Sequence, residues 1–309
     1  MALRPLRIGT RGSAMALFQA NLVRDRLAAA HPELAAPGMI ELAVIRTTGD
    51  RVQNRLLAEI GGKGLFTKEI EEALLEHRID LAVHSLKDME TALPPGLTIA
   101  CVPPRDDPRD ALVSRDGVGL DALPHGATIG TASLRRTAQL LRHRGDLAIV
   151  PIRGNVDTRL NKLAAGEVDA LLVALSGLQR LGKEAAISEI IPVDVMLPAV
   201  GQGALAIEAR ADDAEVRHWL TPLHDSVSAV CVTAERAMLA ALDGSCRTPI
   251  AGFAELTGGR LRLRAMLLSP DGSAESRAEG SGEASDPEAL GRDIGAQLRA
   301  GAGPEFGLG

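Results

Sequence analysis

The sequence predicts two open α/β lobes with an active-site cleft between them, followed by a small C-terminal α+β domain. Three observations carry that expectation. One strand, loop and helix signature occurs twice, proline-rich stretches separate the copies, and the residue pattern changes after about Asp225. At 309 residues the chain is long enough for two or more domains, each with a core of its own.

The first copy opens with a strand-like run, Leu6 to Gly9, then a Thr-Arg-Gly-Ser loop. A helix is predicted from Ala14 to Leu27, with apolar residues at 15, 18, 22 and 23. The second copy begins at Ala127, where Ile129-Gly-Thr-Ala-Ser133 repeats Ile8-Gly-Thr-Arg-Gly-Ser13. A later element is repeated too: Arg78-Ile-Asp-Leu-Ala-Val-His-Ser85 is echoed by Glu167-Val-Asp-Ala-Leu-Leu-Val-Ala-Leu-Ser176. Proline bars regular structure at Val102-Pro-Pro-Arg105 and near Leu197-Pro-Ala-Val-Gly201, so the chain is expected to cross between lobes there. The first lobe is then discontinuous, 1–103 plus 199–224, the second is 104–198, and the third domain is 225–309. That domain should hold a helix from Ser226 to Leu242, runs parted at Gly258-Gly259 and Asp271-Gly272, and a helix after Asp286.

Lys plus Arg is 34 against 40 Asp plus Glu, a net charge of −6, which excludes a broadly basic surface for duplex nucleic acid. Four Phe, one Trp and no Tyr leave no stacking platform for single strands, and the cores must be aliphatic. The longest uncharged stretch, Thr91 to Pro104, contains four prolines, so no continuous membrane-spanning helix is expected. The N-terminus lacks a signal-peptide pattern, which makes the cytoplasm the expected location. Cys101, Cys231 and Cys246 form no CxxC pair, which argues against a disulfide framework or a structural zinc site; no metal is expected.

Ser13 and Ser133 stand at helix N-cap positions. Capping alone accounts for either, but cations accompany them, Arg11 in one loop and Arg135 and Arg136 in the other. A cation at the positive end of a helix dipole calls for an anion, and a bound polyanion would supply it. Lys63, Lys87, Arg153, Arg159 and Arg180 lie in similar Gly-rich or strand-end settings; each alone reads as a surface charge, and together they suit a carboxylate-rich or phosphate-rich ligand. Lys87-Asp88 ends a strand that follows a helix predicted from Phe66 to His77, with Phe66, Ile70 and Leu74 on its apolar face. Asp88 among cations should stay ionised, suited to offsetting developing positive charge or moving a proton, although a salt bridge would explain it equally well.

His84-Ser85 is discounted as a dyad because neighbours on a strand face opposite ways. Gly201-Gln-Gly-Ala-Leu-Ala206 matches a dinucleotide pattern without the strand before it, and Gly61-Gly-Lys-Gly64 lacks the P-loop spacing. Cys101 and Cys231 sit in apolar runs as core residues. Cys246 follows a helix stop at Asp243-Gly244 and precedes Arg247, which makes it the candidate nucleophile or attachment point.

Taken in order, the blocks Ile8-Gly-Thr-Arg-Gly-Ser13, Gly61-Gly-Lys-Gly-Leu-Phe66, His84-Ser-Leu-Lys-Asp88, Gly130-Thr-Ala-Ser-Leu-Arg-Arg136, Arg153-Gly-Asn-Val-Asp-Thr-Arg159, Gly201-Gln-Gly-Ala-Leu205 and Gly244-Ser-Cys-Arg247 resemble the porphobilinogen deaminase (hydroxymethylbilane synthase) family over nearly the whole chain. The resemblance implies periplasmic-binding-protein-like lobes. It also implies a dipyrromethane cofactor joined by a thioether to Cys246, and four porphobilinogens deaminated and added head to tail before water releases hydroxymethylbilane for porphyrin synthesis. Each pyrrole bears an acetate and a propionate, which gives the cations a purpose in an acidic protein. By motif position, Arg11, Ser13, Lys63, Ser85, Lys87, Thr131, Ser133, Arg135, Arg136, Arg153, Gly154, Arg159 and Arg180 would hold these carboxylates, and Asp88 would be the catalytic aspartate, buried and preorganised, in an electrostatic and acid/base role. Glu90 replaces the proline the family often has after Lys-Asp, which would loosen that loop, and Glu59 stands where some relatives carry lysine. From charge, aromatic content and the lack of a long uncharged span, no nucleic-acid or membrane partner is expected, and a monomer is expected. Rival expectations are a non-catalytic two-lobe carboxylate-binding protein and a cysteine acyl-transfer enzyme, the latter lacking a visible His and orienting group.

Overall fold

The computed structural model describes residues 4–51, 64–243 and 248–307; Glu59, Lys63 and Cys246 lie outside them. By its contacts the chain divides into two compact units, Met1–Arg105 with Ala204–Ala229, and Asp106–Gly203 with Val230–Gly309.

In the first unit, β1 (Leu6–Thr10) leads into α1 (Ala14–Ala30), then β2 (Ile40–Val44), α2 (Thr48–Arg51), α3 (Lys68–Leu75), β3 (Leu81–Ser85) and β4 (Leu97–Cys101). In the second, β5 (Asp110–Ser114) and β6 (Thr128–Gly130) precede α4 (Leu134–His143), β7 (Ala148–Val150), α5 (Val156–Ala164), β8 (Ala170–Ala174), α6 (Leu175–Arg180) and β9 (Glu189–Ile190). The chain then returns to the first unit as β10 (Leu205–Arg210) and α7 (Ala214–Leu220).

The two sheets share one plan. Their strand orders are β2-β1-β3-β10-β4 and β7-β6-β8-β5-β9. In each, the first three strands are parallel, and the fourth, entered straight after a proline-rich stretch, is antiparallel to the third. The sequence repeat has a physical counterpart at two aspartates. Asp80 accepts the Arg7 N–H of β1 at 2.9 Å, and Asp169 accepts the Thr128 N–H of β6 at 2.9 Å, so each carboxylate pins the opening strand of its own sheet.

Alternation on β3 separates two apolar layers. Leu81 and Val83 join Ile8, Ala20, Val23 and Leu27 on the α1 side, while Ala82 packs with Ile70, Leu74 and Ile79 on the α3 side. Helix α3 begins at Lys68, two residues later than the periodicity predicts, because Gly64 takes a left-handed φ of 71° and the chain turns before Thr67. Phe66 is therefore off the helix; Ile70 and Leu74 are buried as expected.

After α8 (Ser226–Ala241), strands β11 (Ile250–Thr257), β12 (Arg260–Leu268) and β13 (Glu275–Glu283) form an antiparallel sheet, closed by α9 (Pro287–Ala300). Their core joins Met238, Leu261, Leu263, Ile294 and Leu298. Gly291 and Gly295 permit the close approach of α9 to α8, since a Cβ at Gly291 would stand 2.3 Å from the Ala234 carbonyl oxygen. Cys101 and Cys231 are free and buried, and burial pushes the Cys101 thiol up to about 12, which removes it from nucleophilic chemistry. No helix among the described residues is long and apolar enough to cross a membrane.

Candidate active site

In the first unit, parallel β1 and β3 put their carboxyl ends on one edge, the edge at which open α/β sheets bind ligands. Ser13 caps α1, its hydroxyl accepting the Ala16 N–H at 3.2 Å. Arg11 is already engaged. Its Nε donates to both oxygens of Asp50 at 3.1 and 3.3 Å, its Nη2 bonds the same carboxylate, and the Phe66 ring centre lies 4.1 Å from the guanidinium carbon. Asp50 is itself held by the Thr47 backbone N–H (3.2 Å) and hydroxyl (2.8 Å). Burial pushes its carboxyl up, but hydrogen bonds from Arg11 and Thr47, with the charge of Arg11, outweigh that and hold it below the usual range.

Ser85 ends β3 and accepts a hydrogen bond from Gln19 Nε2 at 2.8 Å, while His84 points to the other face and meets Glu208. A single 3-10 turn, Leu86–Asp88, then carries Lys87 and Asp88. The turn is fixed by the Leu86 N–H to the Ala204 carbonyl (3.0 Å) and the Met89 N–H to the Leu86 carbonyl (3.1 Å). Asp88 is exposed, contrary to the buried carboxylate expected, because it lies two residues past Leu86, the last buried side chain of the turn. Glu90 does more than replace a proline: it accepts the Gly64 N–H at 3.1 Å, tethering this loop to the start of the α3 segment.

In the second unit, β6 runs parallel to β7 and β8, so the loops after all three share one edge. Thr131 is buried after β6, with its hydroxyl accepting the Ser133 N–H at 3.3 Å; Ser133 caps α4 through the Arg136 N–H at 3.4 Å. Arg135 and Arg136 are interior residues of the first turn of α4 and not loop cations. Arg135 Nη2 reaches Asp110 Oδ2 at 2.8 Å, and Arg136 bonds Oδ1 through Nε (3.1 Å) and Nη2 (2.7 Å), with Asp110 0% exposed. Gln202 adds a donor to Asp110 at 2.9 Å, and the Leu197 and Leu172 carbonyls take the remaining Nη1 groups at 2.8 and 3.2 Å. Burial alone would raise the Asp110 carboxyl; the two guanidinium charges reverse this and hold it far below the usual range.

After β7, Gly154 has φ 117°, a conformation suited to glycine, and an added Cβ would lie 2.7 Å from the Thr158 methyl. Asn155 caps α5 by accepting the Thr158 N–H at 2.8 Å, and Arg159 Nε donates to the Gly154 carbonyl at 2.8 Å. Burial drops Arg159 to about 10, and repulsion from Arg136 and Arg153 pushes it the same way. Arg153 Nη1 and Arg135 Nε are buried without a hydrogen-bond partner. Arg180, closing α6, binds Asp106 and the Gly203 carbonyl, both at 2.8 Å.

The conflict between cations and helix N-termini is resolved in this structure by the protein's own carboxylates, Asp50 for Arg11 and Asp110 for Arg135 and Arg136, where the sequence suggested a bound polyanion. Among the described residues, positive charge without such a partner concentrates instead at Arg153 and Arg159. Sequence reasoning missed Asp50, Asp110 and Gln202. Asp110 did leave a signal, an acid opening a five-residue run that is buried throughout. Gly201-Gln-Gly proves to be a turn, with Gly201 and Gly203 at positive φ and Gln202 aimed at Asp110.

Two family models match in succession: "Porphobilinogen deaminase, dipyromethane cofactor binding domain" over residues 6–218, and "Porphobilinogen deaminase, C-terminal domain" over 229–300. A porphobilinogen deaminase of Paracoccus denitrificans is 55% identical over 302 residues, covering 98% of this chain and 96% of its own length. One from Sorangium cellulosum is 52% identical over 300 residues, 96% and 99% of the two lengths. Among solved structures, a TRAP periplasmic solute binding protein from Desulfovibrio salexigens superposes with a TM-score of 0.44 at 13% identity over 72% of this chain and 73% of that one. The sulphonate binding protein SsuA from Escherichia coli gives 0.38 at 16% identity over 78% and 71%. These superpositions are too loose to argue from. The two consecutive domain matches and the near-full-length relatives carry the assignment, and by them this chain belongs to the porphobilinogen deaminase family.

Proposed function

We propose that the chain deaminates porphobilinogen and joins four of its rings head to tail on a dipyrromethane primer, releasing the linear tetrapyrrole hydroxymethylbilane. The observation that carries this reading is the surplus cation in the second unit. Arg153 Nη1 is a buried donor with no acceptor, and Arg159 is pressed by Arg136 and Arg153 with no carboxylate given to it. Such donors match a ligand whose every ring carries two carboxylates.

A dipyrromethane fits these residues. In the second unit Thr131, Ser133, Arg135, Arg136, Arg153, Gly154, Arg159 and Arg180 would bind ring carboxylates, and in the first unit Arg11, Ser13, Ser85 and Lys87 would do the same. Lys63 and Cys246, outside the described residues, would add a further cation and the thioether anchor. What a bound dipyrromethane supplies is a nucleophilic pyrrole carbon on which the chain grows. Arg11 would exchange Asp50 for a ligand carboxylate, and Arg135 and Arg136, fixed by Asp110, would present a rigid positive field. Asp88, exposed on a pinned turn, is free to accept pyrrole N–H bonds. It would offset positive charge at the substrate's aminomethyl carbon as ammonia leaves, then take the ring proton as the new carbon–carbon bond forms.

We take residues 225–309 to act as a domain of their own that carries the anchor, and the enzyme to work as a cytoplasmic monomer without nucleic acid; the net charge of −6 and the lack of Tyr support the last point. The test is direct turnover. Purified protein given porphobilinogen should release ammonia and a linear tetrapyrrole in a ratio of four to one. Binding without ammonia release would refute the reading.

A further inference from the structure

Gln139 stands one turn after Arg135 on α4, and both side chains are buried. The Gln139 amide clamps one residue at both of its backbone groups: Oε1 accepts the Leu197 N–H at 2.8 Å, and Nε2 donates to the Leu197 carbonyl at 3.1 Å. That carbonyl also accepts Arg135 Nη1 at 2.8 Å, while Asp110 accepts Nη2 at 2.8 Å. Both ends of the guanidinium are thus tied, and Nε is left buried without an acceptor among the described residues. The peptide joining Leu197 to Pro198 has no N–H, so its carbonyl is its one polar group, and Gln139 and Arg135 share it. The same segment reaches into the C-terminal sheet. The Leu197 side chain packs with Ala251, Met266 and Leu268, and the Pro198 carbonyl accepts the Gly252 N–H of β11 at 3.0 Å.

We propose that Gln139 is a positioning residue for carboxylate binding: by seating the Leu197 carbonyl it sets the direction in which Arg135 presents its charge, and through Leu197 and Pro198 it ties that direction to the C-terminal sheet. Held by Asp110 alone, the guanidinium could pivot about that contact. A second acceptor, itself clamped, removes the pivot, so the cation is already ordered when a ligand carboxylate arrives. Gln139 touches no ligand in this scheme and acts only through Arg135.

The consequence for KM rests on the function proposed above, whereas the fixed guanidinium does not, and the two are read separately. Nitrogen-edited NMR spectra of the holoenzyme should show an Arg135 Nε–H protected from exchange with water, identified by its loss in Arg135→Lys. In Gln139→Met, which keeps length and apolar packing but neither hydrogen bond, that protection should be lost. With porphobilinogen, Gln139→Met should raise KM about tenfold, the size of one lost buried hydrogen bond, and lower kcat by less than about twofold. In an Arg135→Lys background the same substitution should move KM by less than about twofold, because the group it acts through is gone. A merely structural Gln139 would give the same rise in both backgrounds. Gln139→Asn, one methylene too short for the clamp, repeats the comparison if Gln139→Met does not fold. An unprotected Arg135 Nε–H in the wild type, protection unchanged in the Gln139 variant, or equal KM effects in the two backgrounds overturns the proposal. A wild type that shows the protected signal, lost in the variant, but releases no ammonia from porphobilinogen overturns the function and leaves the positioning standing.

Discussion

Asp88 and Asp110 are both aspartates beside cations, yet their surroundings give them opposite duties. Asp88 is exposed on a turn fixed by backbone hydrogen bonds, so replacing it should barely disturb folding. Asp88→Asn is expected to keep its thermal midpoint and to lose turnover by at least about 100-fold, the range for a lost acid/base group; parental activity in cofactor-loaded protein would remove Asp88 from the mechanism. Asp110 is buried between two guanidinium groups, and removing it leaves both without their anion. Asp110→Asn should lower stability by about 3–5 kcal/mol in urea unfolding. The pH dependence follows from the direction of the shift. The Asp110 carboxyl is held below its unfolded value, so its contribution is complete above about pH 4 and is lost as pH falls further, which places acid unfolding of the wild type there. Sequence named Arg135 and Arg136 but not the acid that holds them. Adjacent cations announce themselves in a linear pattern, whereas a counter-ion more than twenty residues away becomes visible only when the strand brings it close.

The repeated strand, loop and helix unit was readable down to its cap, because a serine before an apolar-periodic run has few other uses. Both caps form, and Ser133→Ala should cost about 1 kcal/mol by chemical denaturation. Gly154 shows where residue order alone was insufficient. Its φ of 117° lets Arg159 reach back to the Gly154 carbonyl, so Gly154→Ala should weaken carboxylate binding, seen as a raised KM for porphobilinogen with kcat less affected. The start of α3 was misplaced because periodicity cannot see a turn that strips Phe66 from the helix and lays it against Arg11. Glu90 was expected to loosen its loop for want of proline. A carboxylate can do by hydrogen bond what a ring does by constraint, and sequence does not reveal the partner, Gly64.

Across the whole molecule, an acidic chain leaves unneutralised positive charge among the described residues at Arg153 and Arg159, beside the carboxyl ends of parallel strands in the second unit. Surface charge on the rest of the protein repels an acidic substrate, so the local cations must dominate at short range. Added salt should therefore raise KM for porphobilinogen far more than it lowers kcat, as measured by steady-state rates from low to physiological ionic strength. The repeat, the proline-rich stretches and the ordered blocks made the α/β plan and the family legible, since each is a local pattern that topology preserves. The internal ion pairs that tune the site were not legible, for they join distant strands. The account stands or falls on the covalent primer, and the mass of the intact purified protein tests it most directly. A mass above that of the 309-residue chain by two linked pyrroles, abolished by Cys246→Ser, is the predicted result; bare polypeptide that still converts porphobilinogen to tetrapyrrole would contradict it.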